Sequence, residues 1–302
     1  MFSNASNFVQ GVDLSFAIIL GISVFFLVSI TAVMIYFVIR YNRKKNPTAS
    51  NIHGNNRLEI IWTVIPTILV LVMFYFGWMG YKPMRSVPRD AIPIKAYGQM
   101  WKWSFEYANG KMSDTLFVPK DKPVKLELIS RDVLHSFYIP AFRIKEDVVP
   151  GRENMLWFIG QEEGQYNIFC AEYCGDRHSY MLSKVSVLPE SEYTRWYNDT
   201  TASADHPGLV VLKKNACISC HSLDGSKIVG PSFKGVWGMT ETVITNDAER
   251  EITIDEAYIK RSIQEPNADV VKGYNKGLMI SYKDLVSEKE MNDIIEYIKT
   301  LK

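Results

Sequence analysis

The sequence predicts a multidomain membrane protein with a two-helix transmembrane anchor, an all-β domain of the Greek-key barrel type and an all-α C-terminal domain. Three observations lead to this prediction. Two long uncharged stretches lie near the N-terminus, short alternating segments follow them, and helix-start signals dominate the last third of the chain. The 302 residues carry a formal net charge of only +1. Such a composition excludes a purely soluble enzyme, a polytopic transporter, a disordered chain and a nucleic-acid binder.

The anchor is predicted over residues 1–90. Residues 14–39 and 60–81 contain no charged side chain, and each stretch exceeds the roughly 20 residues needed to cross a bilayer core. The first 13 residues carry no Lys or Arg, whereas the loop between the two spans carries Arg40, Arg43, Lys44, Lys45 and Arg57. Because basic loops stay in the cytoplasm, we expect this loop inside and both ends of the hairpin outside.

The β domain is predicted over residues 91–189. Apolar and polar side chains alternate along several short segments, which indicates strands with one buried face. These segments are 101–107, 124–129, 155–159, 166–169 and 181–188. Gly, Pro and Asn residues separate them, and this pattern favours a sandwich or a Greek-key barrel.

A polar linker is predicted over residues 190–206, with at most one helical turn, and a helical domain over residues 207–302. Pro207 suits the first turn of a helix. Capping boxes are predicted at 253–256 and 287–290, where Thr or Ser stands three residues before Glu. The second box precedes an amphipathic pattern that predicts the last helix.

The sequence Cys217-Ile218-Ser219-Cys220-His221 is a C-x-x-C-H motif, the attachment signature of a c-type haem. Its two thiols can bond the two vinyl groups of one porphyrin, with the histidine as an axial ligand of the iron. A redox dithiol or half of a zinc site is the alternative. The second axial ligand of such a haem is often methionine. We favour Met279 for this position, with Met239 in reserve.

A second cysteine pair has different neighbours. Cys170 and Cys174 are followed by His178 and Met181, and His135 stands 35 residues before Cys170. Thiolate, imidazole and thioether ligands together favour copper over magnesium or calcium. Two cysteines, two histidines and one methionine fit two copper ions bridged by two thiolates. A zinc site and a disulfide are the alternatives, but zinc leaves the methionine unexplained and a disulfide leaves both histidines unexplained.

Taken together, these motifs resemble subunit II of haem-copper terminal oxidases, in the caa3-type form with a fused cytochrome c domain. Nearly the whole chain takes part in the resemblance. Further segments that carry it are 58–66, 98–107, 132–137, 149–152 and 170–181. The resemblance implies a two-helix anchor, a cupredoxin barrel and a class I-like cytochrome c domain.

The resemblance also implies roles for single residues. A binuclear CuA centre would be held by His135, Cys170, Cys174, His178 and Met181, with the backbone carbonyl of Glu172 as a further ligand. The Glu172 side chain would reach a magnesium ion at the border with subunit I. A covalent haem c would be attached through Cys217 and Cys220, with His221 and Met279 as axial ligands.

Two further positions match the family. Trp101 matches the aromatic residue at which electrons from a soluble cytochrome c enter the subunit, although Lys102 replaces the usual aromatic residue beside it. Glu59 matches the position at the mouth of a proton-uptake channel on the cytoplasmic side.

The implied function is that of the electron-accepting subunit of a respiratory terminal oxidase. Electrons would pass from an external donor through haem c and CuA to a haem in subunit I, where oxygen reduction is coupled to proton pumping. The implied partners are subunits I and III, the lipid bilayer, and a cytochrome c or an upstream quinol-oxidising complex as donor. The implied location is a bacterial inner membrane, with the soluble domains on the periplasmic or outer face.

Two other functions compete with this interpretation. The small subunit of a CuA-containing nitric oxide reductase uses the same copper motif, and the sequence of this chain alone does not separate the two. A membrane-tethered copper chaperone or electron shuttle is the second alternative, but it has no use for a covalent haem. Only His53 and His206 remain outside the two motifs, so the chain itself lacks the histidines of an oxygen-reducing site.

Overall fold

The computed structural model describes residues 4–48, 51, 53–199 and 206–302. Two long helices come first, α1 (Val9–Arg40) and α2 (Asn56–Met84). Both contain the predicted spans and extend beyond them, and both are long and apolar enough to cross a membrane. In each helix, no residue of the most apolar 18-residue stretch is buried within the chain. Their outer surfaces are therefore free to meet lipid or the helices of another protein.

The residues ahead of α1 are bound to the β domain. Ser6 forms an antiparallel bridge with Gly160, and the Gln161 N–H donates to the Ala5 carbonyl at 3.1 Å. Because the β domain follows α2, this contact requires both ends of the helical hairpin to lie on one side of the membrane. The distribution of basic residues leads to the same topology.

Three more contacts fix the anchor against the β domain. The Phe8 ring packs edge-on against Trp157 with ring centroids 5.0 Å apart. The Trp157 indole N–H donates to the Pro83 carbonyl at 3.1 Å, near the end of α2. Arg143 Nε donates to a carboxylate oxygen of Asp13, in the first turns of α1, at 2.8 Å. Each helix is thus tied to the β domain at the end that emerges from the membrane.

The β domain contains ten strands in two five-stranded sheets. The strands are β1 (Ile92–Gln99), β2 (Lys102–Tyr107), β3 (Met112–Ser113), β4 (Thr115–Pro119), β5 (Pro123–Ser130), β6 (His135–Ile139), β7 (Ile144–Val148), β8 (Asn154–Ile159), β9 (Gly164–Cys170) and β10 (Leu182–Leu188). The first sheet has the order β3-β2-β1-β5-β8 and the second the order β4-β10-β9-β6-β7. The pairs β1–β5 and β4–β10 are parallel, so strands distant in sequence become neighbours.

The alternation along the strands produces the core between the two sheets. Trp103 and Phe105 on β2, Leu126 on β5, and Phe137 and Ile139 on β6 are all fully buried. Polar residues between them, such as those of β2, stay partly exposed. The predicted all-β domain is confirmed.

Residues 190–198 differ from the prediction of a linker. They form helix α3 (Glu190–Asn198), which packs on the β domain. Tyr193 and Trp196 are three residues apart and therefore lie on the same helix face, and the Trp196 ring is 4.5 Å from that of Phe117. The burial of these rings outweighs the polar character of the segment. The rest of the predicted linker, residues 200–205, lies outside the described residues.

The C-terminal domain, residues 207–302, contains three helices, as predicted, and a small sheet. Its elements are α4 (Pro207–Lys214), β11 (Thr240–Thr245), β12 (Ala248–Thr253), α5 (Glu256–Gln264), β13 (Val270–Val271) and α6 (Glu288–Thr300). The capping box of α6 is present as predicted, between Ser287 and Glu290. Helix α5 is instead capped by Asp255, whose side chain accepts a hydrogen bond from the Tyr258 N–H. Asp255 lies two residues beyond the predicted cap at Thr253.

The sheet of the C-terminal domain, β12-β11-β13, was not expected from the sequence. Asn246 and Asp247 both have positive φ angles, 49° and 64°, as in the tight turns that match the twist of a β-hairpin. Thr, Val and Ile around this turn favour strands. The signal was therefore present in the sequence, within a domain otherwise dominated by helix-start motifs.

Candidate metal and haem sites

The five side chains predicted to bind copper meet at one end of the second sheet. His135 is the first residue of β6 and Cys170 the last residue of β9. Cys174, His178 and Met181 lie in the connection from β9 to β10. Because β9 lies between β6 and β10, the sheet brings these segments together. We call these five residues the copper-ligand cluster and residues 171–181 the copper-ligand loop.

The donor atoms of the cluster converge. The Cys170 and Cys174 sulfurs are 3.7 Å apart, far beyond the about 2.05 Å of a disulfide. His135 Nδ1 is 3.8 Å from the Cys170 sulfur, and His178 Nδ1 is 3.5 Å from the Cys174 sulfur. The Met181 sulfur lies 3.8 Å from the Cys174 sulfur. Two free thiols between two imidazoles, with a thioether beside them, form a soft donor set that fits copper.

Hydrogen bonding fixes the orientation of His135. Its Nε2 lies 2.7 Å from a carboxylate oxygen of Asp132, so the Nε2–H donates to Asp132 and the Nδ1 lone pair faces the cysteines. Burial opposes protonation of the imidazole, but the hydrogen bond and charge of Asp132 outweigh it and raise the pKa of His135. A carboxylate behind a ligating histidine holds the ring in place and makes it a stronger ligand.

The two thiols differ in acidity before any metal binds. Burial opposes ionisation of Cys170, but hydrogen bonds, first of all with His135, lower its pKa to about 6. Burial, followed by the charge of Cys170, raises the pKa of Cys174 to about 12. The first proton therefore leaves Cys170 readily. The second has to be displaced by the metal itself, because a metal ligand must be the thiolate.

Two other predicted residues lie beside the cluster. The backbone carbonyl of Glu172 is 3.2 Å from the Cys170 sulfur, so it points toward the converging donors. Trp101 is only 6% exposed, and its indole N–H donates to the Cys174 carbonyl at 3.1 Å. A Cβ on Gly175 would lie 3.2 Å from the Trp101 ring. Trp101 therefore packs against the copper-ligand loop at Cys174 and Gly175 and supports its conformation.

The C-terminal domain encloses a large, mainly apolar cavity. Cys217, Cys220, His221 and Met279 all contribute to its wall, together with aliphatic and aromatic side chains from α4, α5 and α6. Burial raises the pKa of both thiols, to about 12 for Cys217 and about 11 for Cys220. An apolar cavity with two protonated cysteines and a histidine in its wall fits a covalently attached porphyrin.

His221 is oriented for metal binding through Nε2. Its Nδ1 donates to the Pro231 carbonyl at 2.7 Å, and its ring stacks on Phe233 at 4.7 Å between centroids. Burial lowers the pKa of His221, which keeps the imidazole neutral, as an iron ligand must be. A Cβ on Gly230 would lie 2.6 Å from the ring, so only glycine fits this position beside the histidine.

Of the two candidate methionines, only Met279 lies at the cavity. Met279 is half-buried and contributes to the cavity wall. Met239 is 50% exposed, and the cavity wall as described does not include it. Because Met279 lines the same cavity as the attachment motif, we favour it as the second axial ligand.

The β domain closes one side of this cavity. Gln99, Met100 and Asp132 line it together with residues of the C-terminal domain. The Met100 N–H donates to Asp132 at 2.7 Å, and Asp132 in turn holds His135. One carboxylate therefore lies between the haem-type cavity and the copper-ligand cluster.

Glu59 lies far from both sites, in the first turn of α2, where it is exposed. The β domain follows the opposite end of α2. Glu59 is therefore near the membrane surface that faces away from the copper-ligand cluster, where the resemblance expects a channel mouth.

Asp132 was not among the residues expected to act at the site. Its signal is local, because an acidic residue in the turn three positions before a ligating histidine can reach that histidine when the strand begins at the histidine. Arg177 and Tyr282, which connect the two domains, gave no such signal. They act through contacts between segments distant in sequence.

Three family profiles match the chain. The profile "Cytochrome C oxidase subunit II, transmembrane domain" matches residues 1–77. The profile "Cytochrome C oxidase subunit II, periplasmic domain" matches residues 110–187. The profile "Cytochrome c" matches residues 207–302. Together they match most of the anchor, most of the β domain and the whole C-terminal domain.

Individual relatives agree with the profiles. The cytochrome c oxidase subunit 2 of Alkalihalophilus pseudofirmus is 33% identical over 94% of this chain and 86% of the relative. That of Bacillus subtilis is 28% identical over 89% of this chain and 82% of the relative. A crystal structure of the periplasmic domain of subunit II of cytochrome oxidase from Bradyrhizobium japonicum shows 32% identity over 37% of this chain and 94% of that chain, with a TM-score of 0.35.

Proposed function

Because the chain belongs to the cytochrome c oxidase subunit II family and carries a fused cytochrome c domain, we propose that it receives the electrons of a respiratory terminal oxidase. It is a membrane-anchored subunit of a haem-copper oxidase, an oxidoreductase that works with other subunits. In the proposed path, electrons pass from an external donor through covalent haem c and a binuclear CuA centre to a haem in subunit I. Oxygen is reduced there, with coupled proton pumping.

The observation that carries this proposal is the shared wall between the two sites. Gln99, Met100 and Asp132 belong to the β domain, yet they line the cavity of the C-terminal domain. Asp132 also binds His135 of the copper-ligand cluster. Two sites for one-electron cofactors thus adjoin within one chain, which is the arrangement that an electron relay requires.

The chain's own residues divide the work of holding the cofactors. Cys170 and Cys174 would supply bridging thiolates, and His135, His178, Met181 and the Glu172 carbonyl would complete a dicopper site. Cys217 and Cys220 would bind the porphyrin covalently, and His221 and Met279 would ligate its iron. When bound, the copper pair and the haem would supply reversible one-electron oxidation and reduction.

The β domain also shields most of the copper-ligand cluster from water, and only His178 is partly exposed. His135 and Met181 are fully buried, and Cys174 is 3% exposed. The ligands extend from paired strands or from the loop that Trp101 supports. Fixed ligands and excluded water mean that little has to rearrange when the charge of the site changes, which favours fast electron transfer.

The remaining assignments follow from the family. We propose that the Glu172 side chain reaches a magnesium ion at the border with subunit I and that Glu59 lies at the mouth of a proton-uptake channel. We further propose subunits I and III as partners and a cytochrome c or a quinol-oxidising complex as donor. The chain would reside in a bacterial inner membrane with both soluble domains outside, in keeping with its basic loop between α1 and α2.

The test uses the full-length chain, expressed with cytochrome c maturation and copper and purified in detergent. One covalent haem and about two coppers per chain, with one unpaired electron shared by both copper nuclei in the EPR spectrum, are expected. Cys174→Ser should lose the copper signal and keep the haem, whereas Cys220→Ser should weaken haem attachment and keep the copper. A single copper, bound zinc or a Cys170–Cys174 disulfide in folded protein would refute the dicopper assignment.

The acceptor is tested on the intact complex. The named relatives are subunits of cytochrome c oxidases, so we expect the complex that contains this chain to consume oxygen with a cytochrome c or a quinol-oxidising complex as the electron donor. Reduction of nitric oxide without oxygen uptake would instead assign the chain to a nitric oxide reductase.

A further inference from the structure

We propose that Gln99, Lys102 and Arg177 form a docking surface on the β domain for the chain's own C-terminal domain, with Arg177 as the residue that positions the haem-attachment motif against the copper-ligand loop. The proposal rests on the proposed function only for the identity of the two cofactors. We call these three residues the docking surface.

Arg177 makes the most direct link between the two sites. It immediately precedes His178 in the copper-ligand loop, and its Nη1 donates to the Ser219 carbonyl at 3.0 Å. Ser219 immediately precedes Cys220 in the C-x-x-C-H motif. A single hydrogen bond therefore joins two residues that are each one peptide unit from a predicted cofactor ligand. Through-bond electron transfer between the sites would have a short covalent and hydrogen-bonded route here.

Lys102, the first residue of β2, supports the same arrangement by contacting the C-terminal end of α4. Its Nζ donates to the Lys213 carbonyl at 3.3 Å, in the last turn of α4, where the helix dipole presents partial negative charge. The Lys102 side chain is only 17% exposed, and its burial lowers its pKa. A lysine that is held in a contact despite its burial indicates a specific interface.

The third contact is a buried chain of hydrogen bonds. Gln99 Nε2 donates to the Tyr282 hydroxyl, and that hydroxyl donates to the Asn215 carbonyl at 3.2 Å. Gln99 and Tyr282 are each 6% exposed and Asn215 is 1% exposed. Buried polar groups that satisfy each other in this way fix a single arrangement of the domains.

The three contacts have one pattern in common. Each member of the docking surface reaches a backbone carbonyl within the short segment 213–219, either directly or through Tyr282. This segment runs from the last turn of α4 into the haem-attachment motif. The three contacts therefore orient the part of the C-terminal domain to which the haem would be attached. They do not merely hold the domain at a surface remote from the haem-attachment motif.

The tether is short enough to make such contacts effective. Residues 200–206 separate Asp199 from α4, and a chain of this length spans at most about 25 Å. A short tether gives the two surfaces a high effective concentration, so a few contacts suffice to keep them together. The docked domain covers the neighbours of Trp101 on both sides, Met100 and Lys102. An external donor consequently has to reach the C-terminal domain on another face.

The test compares Arg177→Gln with Arg195→Gln in the full-length, cofactor-loaded chain. Arg195 is exposed on α3 and serves as a matched control. Amide hydrogen exchange is measured by mass spectrometry in peptides that cover residues 99–102 and 213–221. Loss of a hydrogen bond from a charged donor is expected to raise the undocked population, and with it the exchange rate, roughly tenfold or more. The rate of electron transfer from haem to copper after photochemical reduction should fall in parallel.

Tyr282→Phe provides a second variant, because Tyr282 lies outside the copper-ligand loop and removal of its hydroxyl breaks the link to Gln99. It should also speed exchange in both peptides while the copper spectrum stays unchanged. Wild-type exchange in both Arg177→Gln and Tyr282→Phe would overturn the proposal. If the chain failed to bind copper or haem, the proposed function would fail, yet the exchange comparison would still decide whether the two domains dock.

Discussion

Replacement of Gly230 by alanine tests the haem-type cavity at its tightest point. The added Cβ would lie 2.6 Å from Cε1, 2.9 Å from Nδ1 and 3.0 Å from Nε2 of the His221 imidazole. Favourable contacts between such atoms lie near 3.5–4.0 Å. The imidazole would have to retreat by about 1 Å, a distance that follows from the contact of 2.6 Å and the lower end of this range.

The surroundings of the ring oppose such a movement. Phe233 is stacked on it with the ring planes only 14° apart, and the Pro231 carbonyl holds Nδ1 at 2.7 Å. Overpacking costs about 1–3 kcal/mol, and the lost hydrogen bond adds about 1 kcal/mol. We expect the His221-ligated state to be destabilised by about 3 kcal/mol, which is roughly a hundredfold in its equilibrium population.

The assay is the absorption spectrum of the full-length chain after haem attachment, with thermal unfolding measured alongside. Gly230→Ala should show a shifted Soret band, a weakened low-spin signature and a lower Tm. Gly235→Ala is the control, because Gly235 has a positive φ of 68° and open space around it. It should lower Tm through backbone strain and leave the haem spectrum unchanged. A normal low-spin spectrum in Gly230→Ala would refute the assignment of His221 as the ligand in this cavity.

Three further predictions concern other parts of the two sites. Met279→Ala should remove the spectral signature of a thioether-ligated haem, whereas Met239→Ala should leave the haem spectrum unchanged; a reversed result would exchange their roles. Asp132→Asn should weaken copper binding about 10- to 100-fold, because a ligating histidine loses its charged partner, and titration with a copper chelator measures this loss; unchanged affinity would show that Asp132 does not tune His135. Asp269 is buried and accepts hydrogen bonds from Thr245 and Arg250. Burial opposes ionisation of its carboxyl group, but these hydrogen bonds and the charges of Arg250 and Arg261 lower its pKa. Its contribution to stability should therefore be complete above about pH 4, near the pKa of an unfolded aspartate, and be lost as the pH falls through the lower pKa of the folded state. Denaturant unfolding of Asp269→Asn should show a deficit at pH 7 that disappears in acid, and a deficit independent of pH would contradict this reasoning.

The parts of the fold with strong local patterns were predictable from the sequence. The spans of α1 and α2 follow from uncharged stretches of sufficient length, and the strands around Trp103 and Phe105 follow from alternation with polar residues. The start of α6 follows from the capping box at Ser287. In each case the decisive interactions lie within a few residues, or with solvent and lipid, so that the local sequence contains most of the information.

Long-range packing decided the features that the sequence did not predict. Helix α3 exists because Tyr193 and Trp196 find rings of the β domain to pack on, a partner that their own segment does not reveal. The roles of Arg177 and Tyr282 depend on how two domains meet. The haem-attachment motif was recognisable from five consecutive residues, whereas the geometry that joins it to the copper-ligand loop depends on residues more than 40 positions apart, such as Arg177 and Ser219.

The contact between the N-terminal residues and the β domain has a consequence for anyone who prepares this protein without its membrane part. A soluble fragment that starts after α2 would lose Ala5 and Phe8, which are 0% and 5% exposed in the intact chain. In the intact chain the N-terminal residues cover the indole of Trp157 and the backbone around Gly160. In the truncated fragment both would face water. Exposed backbone and apolar surface of this kind promote association between copies. A fragment that retains residues 4–8 through a short fusion to residue 91 should therefore stay monomeric at concentrations where the simple truncation associates.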